Sequence, residues 1–431
     1  MVIQGISRRT KLLSAMSDLG VKSTIVLGGD GSRIQQYFVT RLGDTMEHSD
    51  NRILTTHVGS LPRNRELADL LIADEAGEAI DSARLDELAA AGVAHCVAME
   101  IGAGIDIVND GEQPRVGFQT YVAQRLDGFG GVSEREPFRD FADHPDFSEI
   151  WASRGMVMSK VFDAPAANNE VKYKDLAPAR RECDMFDAAL AGHDGGYKET
   201  FMTAASPGIV CTTMRNAGHY DSHESYVRAV ARELRQEYEL IHSRGYLLQL
   251  DCPDLAMEWH GMFQNGTLKE FQEAIAVHID AINEACVNIP KDRIRLHVCW
   301  GNYDGPHDHD VPMADILPVI REANVGAFSL EFANPRHQHE YVSLKANPLP
   351  DDALLIAGVI DSTVNYIEHP QVICNRILEA VDAVGDKERV IAGSDCGFGT
   401  FAGWEMVAPS VVWKKFEALA QGARLASAKL W

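Results

Sequence analysis

Eight times along this chain a short apolar run ends in a polar or glycine-containing turn. The runs are RILTTHVGS (52–60), GIDIVNDGE (104–112), ETFMTAASP (199–207), YLLQLDCP (246–253), IRLHVCWGN (294–302), GAFSLEFAN (326–334), LLIAGVIDS (354–362) and RVIAGSDCGFG (389–399). Between them lie segments such as 225–245, 268–288 and 369–385, whose apolar positions recur every three or four residues. Strand-like runs alternating with amphipathic helices imply a parallel sheet with helices laid over it. Eight alternations fit an α/β fold of the (β/α)8 TIM-barrel class, where chemistry collects at the C-terminal strand ends. A doubly wound open sheet would also alternate, but it carries a glycine-rich phosphate turn after a strand, and no G-x-G-x-x-G stands in such a place.

Residues 46–431 read as this single barrel. One region breaks the rhythm: residues 113–198 are too long for a helix and two loops, and they read as an insertion over the barrel mouth, with a strand pair around GMVMSKVFDAP (155–165). Residues 1–45 read as an accessory extension or a misplaced start, with Met46 a candidate start. Arg8 and Arg9 invite a targeting reading, but Lys11, Ser14, Asp18 and Lys22 interrupt any apolar core behind them.

Charge and cysteine usage exclude several classes. The formal net charge is -23, so the mean field repels nucleic acid and anionic membrane surfaces. No run approaches the roughly 18 apolar residues that a membrane span needs. Eight cysteines over 431 residues are too sparse for a disulfide framework. A cytoplasmic protein with reduced thiols is expected, with no nucleic acid or membrane as partner and homo-oligomerisation left open.

Nearly every proposed strand ends in a reactive group. His297 and Cys299 lie two apart on one run, so a strand would point both to the same face. Thiolate with imidazole favours zinc over magnesium or calcium, which prefer oxygen. Glu331 and Cys396 end other runs, and barrel closure would complete a tetrahedral set of His297, Cys299, Glu331 and Cys396. Rival donors sit in loops: His307 and His309 in GPHDHD, His337 and His339 in NPRHQHEY. A zinc hydrolase is the competing reading, but such sites gather histidines and an aspartate, because less donating ligands acidify water better.

The segments THVGSLPR, DGEQPR, LQLDCPDLA, LHVCWGN, SLEFANPRH, GVID and AGSDCGFGT, in this order, resemble the C-terminal catalytic barrel of cobalamin-independent methionine synthase and its single-barrel relatives. The likeness runs from about residue 50 to the C-terminus, apart from the insertion. It implies a zinc held by His297, Cys299, Glu331 and Cys396 that binds a thiol, and amino-acid contacts from Gly59, Ser60, Glu112 and Asp251. The expected activity is zinc-dependent S-methyl transfer to homocysteine from a methyl-tetrahydropteroyl or simpler donor. A free thiol, with a pKa near 8.5, is mostly protonated at neutral pH, and coordination to zinc removes the proton.

Three departures accompany the likeness. Nothing before residue 50 would form the family's other barrel. Where the synthase has a histidine acid after its GV-D strand end, this chain has Ser362 and Thr363, leaving Asp361 or the later His369 as proton donor. The acidic net charge disfavours a polyglutamylated folate. A variant keeps the thiol and changes the electrophile, as in epoxyalkane:coenzyme M transferases; a sulfonate thiol would want Arg63, Arg115 or Arg336, whereas Glu112 and Asp251 suit an ammonium. A metal-free decarboxylase branch also exists, against which the H-x-C pair argues.

Overall fold

The eight apolar runs form the eight strands of one parallel sheet in the computed structural model, which describes residues 45–154, 160 and 162–431. The reading of residues 1–45 as an extension falls almost wholly outside these. In chain order the strands are β1 (Leu54–Thr55), β2 (Ile107–Val108), β3 (Leu126–Gly130), β4 (Ala166–Tyr173), β5 (Glu199–Ala205), β6 (Leu247–Asp251), β7 (Ile294–Val298), β8 (Ala327–Glu331), β9 (Leu354–Ile360) and β10 (Val390–Ser394). The parallel sheet runs β1-β10-β9-β8-β7-β6-β5-β2 and curls into a nearly closed (β/α)8 barrel.

Closure falls to the two shortest strands and uses side chains as well as backbone. Asp106 N–H donates to the Thr55 carbonyl (3.0 Å), Thr55 N–H returns a bond to Asp106 Oδ2 (2.9 Å), and Thr56 Oγ1 donates to the Ile107 carbonyl (3.1 Å). The barrel floor is apolar: Met46, Leu54, Ile107, Phe201, Leu247, Leu354 and Ile391 form one buried cluster. The fully buried Arg295 lies over the Phe201 ring at 3.9 Å and donates to the His57 carbonyl (2.9 Å).

The expected helices form at His223–Ser243, Leu268–Ala285 and Pro370–Val384. Their ends carry the signals that define them. Thr267 caps the second by a reciprocal bond pair with Glu270, and Gly385, at φ +80°, ends the third in the left-handed conformation glycine adopts without penalty. No helix among the described residues is long and apolar enough to cross a membrane.

Within the insertion, β3 and β4 pair antiparallel. The strand pair expected around residues 155–165 lies largely outside the described residues; the observed hairpin flanks that segment. Two short helices, Arg139–Asp143 and Pro145–Ser153, lie between β3 and β4. A buried ionic cluster roots the insertion. Glu182 bridges Arg115 and Arg125, while Glu237 accepts from Tyr121 (2.7 Å), Tyr173 and Arg125. Charges this deep persist only when fully paired, and this pairing ties the hairpin to the helix His223–Ser243.

Candidate metal centre and substrate cavity

β7 carries His297 inward, and Cys299 lies one residue beyond its end, not on the strand itself. Cys396 stands two residues past β10, where Ser394 Oγ donates to its carbonyl (2.8 Å) and turns the chain. The donor atoms of His297, Cys299 and Cys396 all lie within 4.8 Å of one another, and all three residues are buried. A hydrogen bond shared between the sulfurs draws the Cys299 thiol well below its ordinary range and pushes Cys396 well above it.

The three residues fit a soft divalent metal. Neither ring nitrogen of His297 has a hydrogen-bond partner of sound geometry, although the ring is 1% exposed. A buried imidazole so left costs free energy unless something accepts its lone pair. One imidazole and two thiols are the donor classes that zinc prefers.

Glu331 ends β8 and is buried, but its carboxylate is not within that group of three. Asn334 Nδ2 donates to its Oε2 (2.9 Å). Burial, with Asp395 beside it, pushes the Glu331 carboxyl well above the usual range. Asp395 in turn accepts backbone N–H bonds from Phe332, Ala333 and Asn334 at 2.8–2.9 Å, fixing the loop after β8.

A cavity of about 110 Å³ adjoins the three donors. Ser60, Glu112 and Asp251 line it, with His297, Cys299 and Cys396. Glu112 holds a left-handed backbone (φ +53°), rare for a residue with a Cβ. Its Oε1 accepts from Thr203 Oγ1 (2.9 Å), while its buried Oε2 has no hydrogen-bond partner among the described residues. Asp251 Oδ1 accepts from Gln249 (2.9 Å); burial and the facing Glu112 push its carboxyl up to about 8. Two acids therefore share one wall, and Arg135 is the single cationic side chain lining this cavity among the described residues.

Gly59 underlies the pair. It stands at φ +137°, and a Cβ there would lie 2.5 Å from Thr203 Cγ2 and 2.9 Å from Glu112 Oε1. Gly59→Ala should lower unfolding free energy by about 1–3 kcal/mol, through overpacking and backbone strain. Urea denaturation checks this; an unchanged midpoint would show that the turn relaxes.

Asp110 offers a pH-dependent test beside the site. Burial pushes its carboxyl up to about 7, and its Oδ2 has no partner. The unfolded chain releases this proton near pH 4, before the folded one does. The carboxyl therefore costs stability progressively from about pH 4 to pH 7, and by a constant amount above. Asp110→Asn should stabilise the protein by ~2–4 kcal/mol at pH 8 and by little at pH 4. Paired thermal melts at the two pH values read this directly.

The remaining site residues divide. Asp361 is buried at the end of β9, accepts from Thr363 N–H (2.7 Å) and Oγ1 (2.8 Å), and lines a second cavity of about 220 Å³ with Glu331 and Asp395. His369 is not brought there: it is exposed, and its Nδ1 caps the helix Pro370–Val384 by accepting from Gln371 N–H (3.1 Å). The cap engages Nδ1 alone, and His369 lines neither cavity. His307 and His337 both contact Asp310 (3.0 and 2.9 Å), and His339 is exposed. Arg63 and Arg115 spend their donors inside the protein: Arg63 on the Gly399 and Glu112 carbonyls, Arg115 on Glu182 and the Thr203 carbonyl.

Sequence reasoning passed over Asn302 and the aromatic wall. Asn302 lines both cavities, donates to the Gly397 carbonyl (2.8 Å) and accepts from Ser362 Oγ (3.0 Å). Its place directly after the H-x-C strand was the available signal. Phe138 and Phe141 of the insertion, with Tyr303, Phe401 and Trp404, complete the apolar side of the first cavity.

No family model matches the chain. It is 23% identical over 245 residues to the 2-hydroxypropyl-CoM lyase of Xanthobacter autotrophicus, a match covering 51% of this chain and 59% of the lyase. It is 20% identical over 378 residues to a methionine synthase of Saccharolobus solfataricus, covering 87% of this chain and 95% of that one. The solved B12-independent methionine synthase from Shewanella, in complex with selenomethionine, superposes with a TM-score of 0.65 at 18% identity, over 88% of this chain and 99% of its own. Over most of its length the chain is similar to methionine synthases at 20–24% identity, and its fold is that of the solved B12-independent methionine synthase.

Proposed function

We propose that the protein is a zinc-dependent thiol alkyltransferase, in first place an S-methyltransferase acting on homocysteine. The observation that carries this reading is the buried His297, Cys299 and Cys396 group beside a cavity whose polar wall holds two acids. His297, Cys299 and Cys396 would hold the metal, with Glu331 the fourth ligand once its bond from Asn334 is released. Bound zinc supplies one thing, deprotonation of the substrate thiol at neutral pH.

The chain's own residues supply the rest. Glu112 and Asp251 take the ammonium group of the amino thiol, two carboxylates facing one cation. The aromatic side excludes water from the reacting sulfur, where an alkyl carbon must approach in line. Asp361 donates the proton to the leaving group. With one cationic side chain on the first cavity, a simple methyl donor fits better than a polyglutamylated one. The likeness to the 2-hydroxypropyl-CoM lyase favours alkyl transfer to a sulfonate thiol as the second reading, but Arg63 and Arg115 are committed elsewhere.

X-ray absorption at the zinc edge tests the proposal. The zinc-loaded protein should show two sulfur neighbours, rising to three when homocysteine is added. A sulfur count that ignores the thiol would sink the alkyltransferase reading, and a protein that takes up no stoichiometric zinc would put the metal-free decarboxylase branch in its place.

A further inference from the structure

The loop that follows β7 contains a second gathering of metal-binding side chains, away from the first cavity. Asp308 and His309 of this loop meet His144, which joins the inserted helices Arg139–Asp143 and Pro145–Ser153. Ligand atoms of His144, Asp308 and His309 all lie within 4.8 Å of one another. His144 Nε2 is 3.2 and 3.3 Å from the two Asp308 oxygens, and His309 Nε2 is 3.0 Å from Asp143 Oδ2. The four side chains are a quarter to a little over half exposed.

We propose that His144, Asp308 and His309, with Asp143 as fourth donor, form a second divalent-metal site that clips the inserted helices to the loop after β7. Exposed ion pairs of this kind contribute little to stability, so stability alone gives no reason for two imidazoles and two carboxylates to converge from separate segments. The spacing suits a metal. Bonds of about 2.0–2.2 Å in a tetrahedron place neighbouring ligand atoms roughly 3.3–3.6 Å apart; His144–Asp308 and His309–Asp143 already stand at 3.0–3.3 Å, and the atoms of His144, Asp308 and His309 close from within 4.8 Å. Two imidazole nitrogens with two carboxylate oxygens select zinc over magnesium or calcium.

Location gives the site its consequence. The same two segments already meet through Tyr303 Oη donating to Asp140 Oδ2 (2.6 Å), His307 N–H donating to the same oxygen (2.8 Å), and the Arg154–Asp304 ion pair (2.8 Å). Phe141 stacks on Tyr303 at 5.7 Å, and both rings wall the first cavity. A metal held by His144 and His309 therefore fixes the aromatic wall against the loop that carries Asn302, and so controls how freely that cavity opens. The site shares no ligand with His297, Cys299 and Cys396, and the inference stands apart from the thiol reading.

The test is zinc titration of the metal-stripped full chain, with hydrogen exchange followed over residues 139–153. Wild type should take two equivalents, and the second should slow exchange in that segment at least tenfold. His144→Ala and His309→Ala should each take one equivalent and lose the slowing; the retained equivalent reports that they fold. Cys396→Ser should weaken the other equivalent alone and keep the slowing, so the two sites fail separately. Wild type that shows no slowing over residues 139–153 at any equivalent, or slowing kept in either histidine variant, overturns the proposal.

Discussion

Cys396→Ser should weaken zinc binding by about 10²–10³-fold and reduce thiol alkylation in proportion, without unfolding the protein. Structural zinc sites are worth about 10–16 kcal/mol over four ligands, so one ligand accounts for about 2.5–4 kcal/mol. Serine is close in size but stays a neutral hydroxyl where a thiolate is needed. The backbone around it is held independently, by Ser394 Oγ on its carbonyl and by Asn302 on the next one. Competition with a chromophoric chelator gives the affinity, and a thermal melt gives the fold. Full zinc affinity with full activity would mean that Cys396 is an ordinary buried thiol and that the sulfur pair has no role in the reaction.

The second large effect concerns the acid pair. Glu112→Gln and Asp251→Asn should each raise the KM for homocysteine by about 10–100-fold while leaving the zinc equivalent in place, the loss expected for one charge-assisted contact to an ammonium group. A desamino analogue of homocysteine separates this from general damage. Wild type should handle it poorly, and the two variants should handle it no worse than wild type does. Both variants should also melt higher than wild type near pH 8, because burial holds both carboxyls above the usual range. Equal losses on both thiols would instead assign Glu112 and Asp251 to holding the cavity's shape. A preference for a sulfonate thiol would move the reading toward coenzyme M chemistry.

These tests rest on features that were unequally visible in the sequence. Parallel strands buried on both faces must be nearly continuous apolar runs, so all eight barrel strands could be read directly, as could the helices between them. The insertion could be found only as an interruption. Its hairpin is β3 with β4, which pair across a long connection, and no local pattern specifies which segments will meet. His369 illustrates the same limit. A histidine before a proline at a helix start reads equally well as an acid or a cap, and only the fold shows that its ring faces solvent and accepts from Gln371.

The sequence alone determined the barrel and the strand ends that carry reactive side chains, because both follow from short-range periodicity and residue type. Tertiary structure decided distances. Closure through Asp106, Thr55 and Thr56 completes the ring on which Cys396 meets Cys299, while Glu331, bonded by Asn334, stands outside the same group. It also faced Glu112 with Asp251, committed Arg63 and Arg115 elsewhere, and drew His144 to Asp308 and His309. Each of these depends on elements far apart in the chain, whose approach is set by packing around a common core and leaves no local trace in the residues themselves.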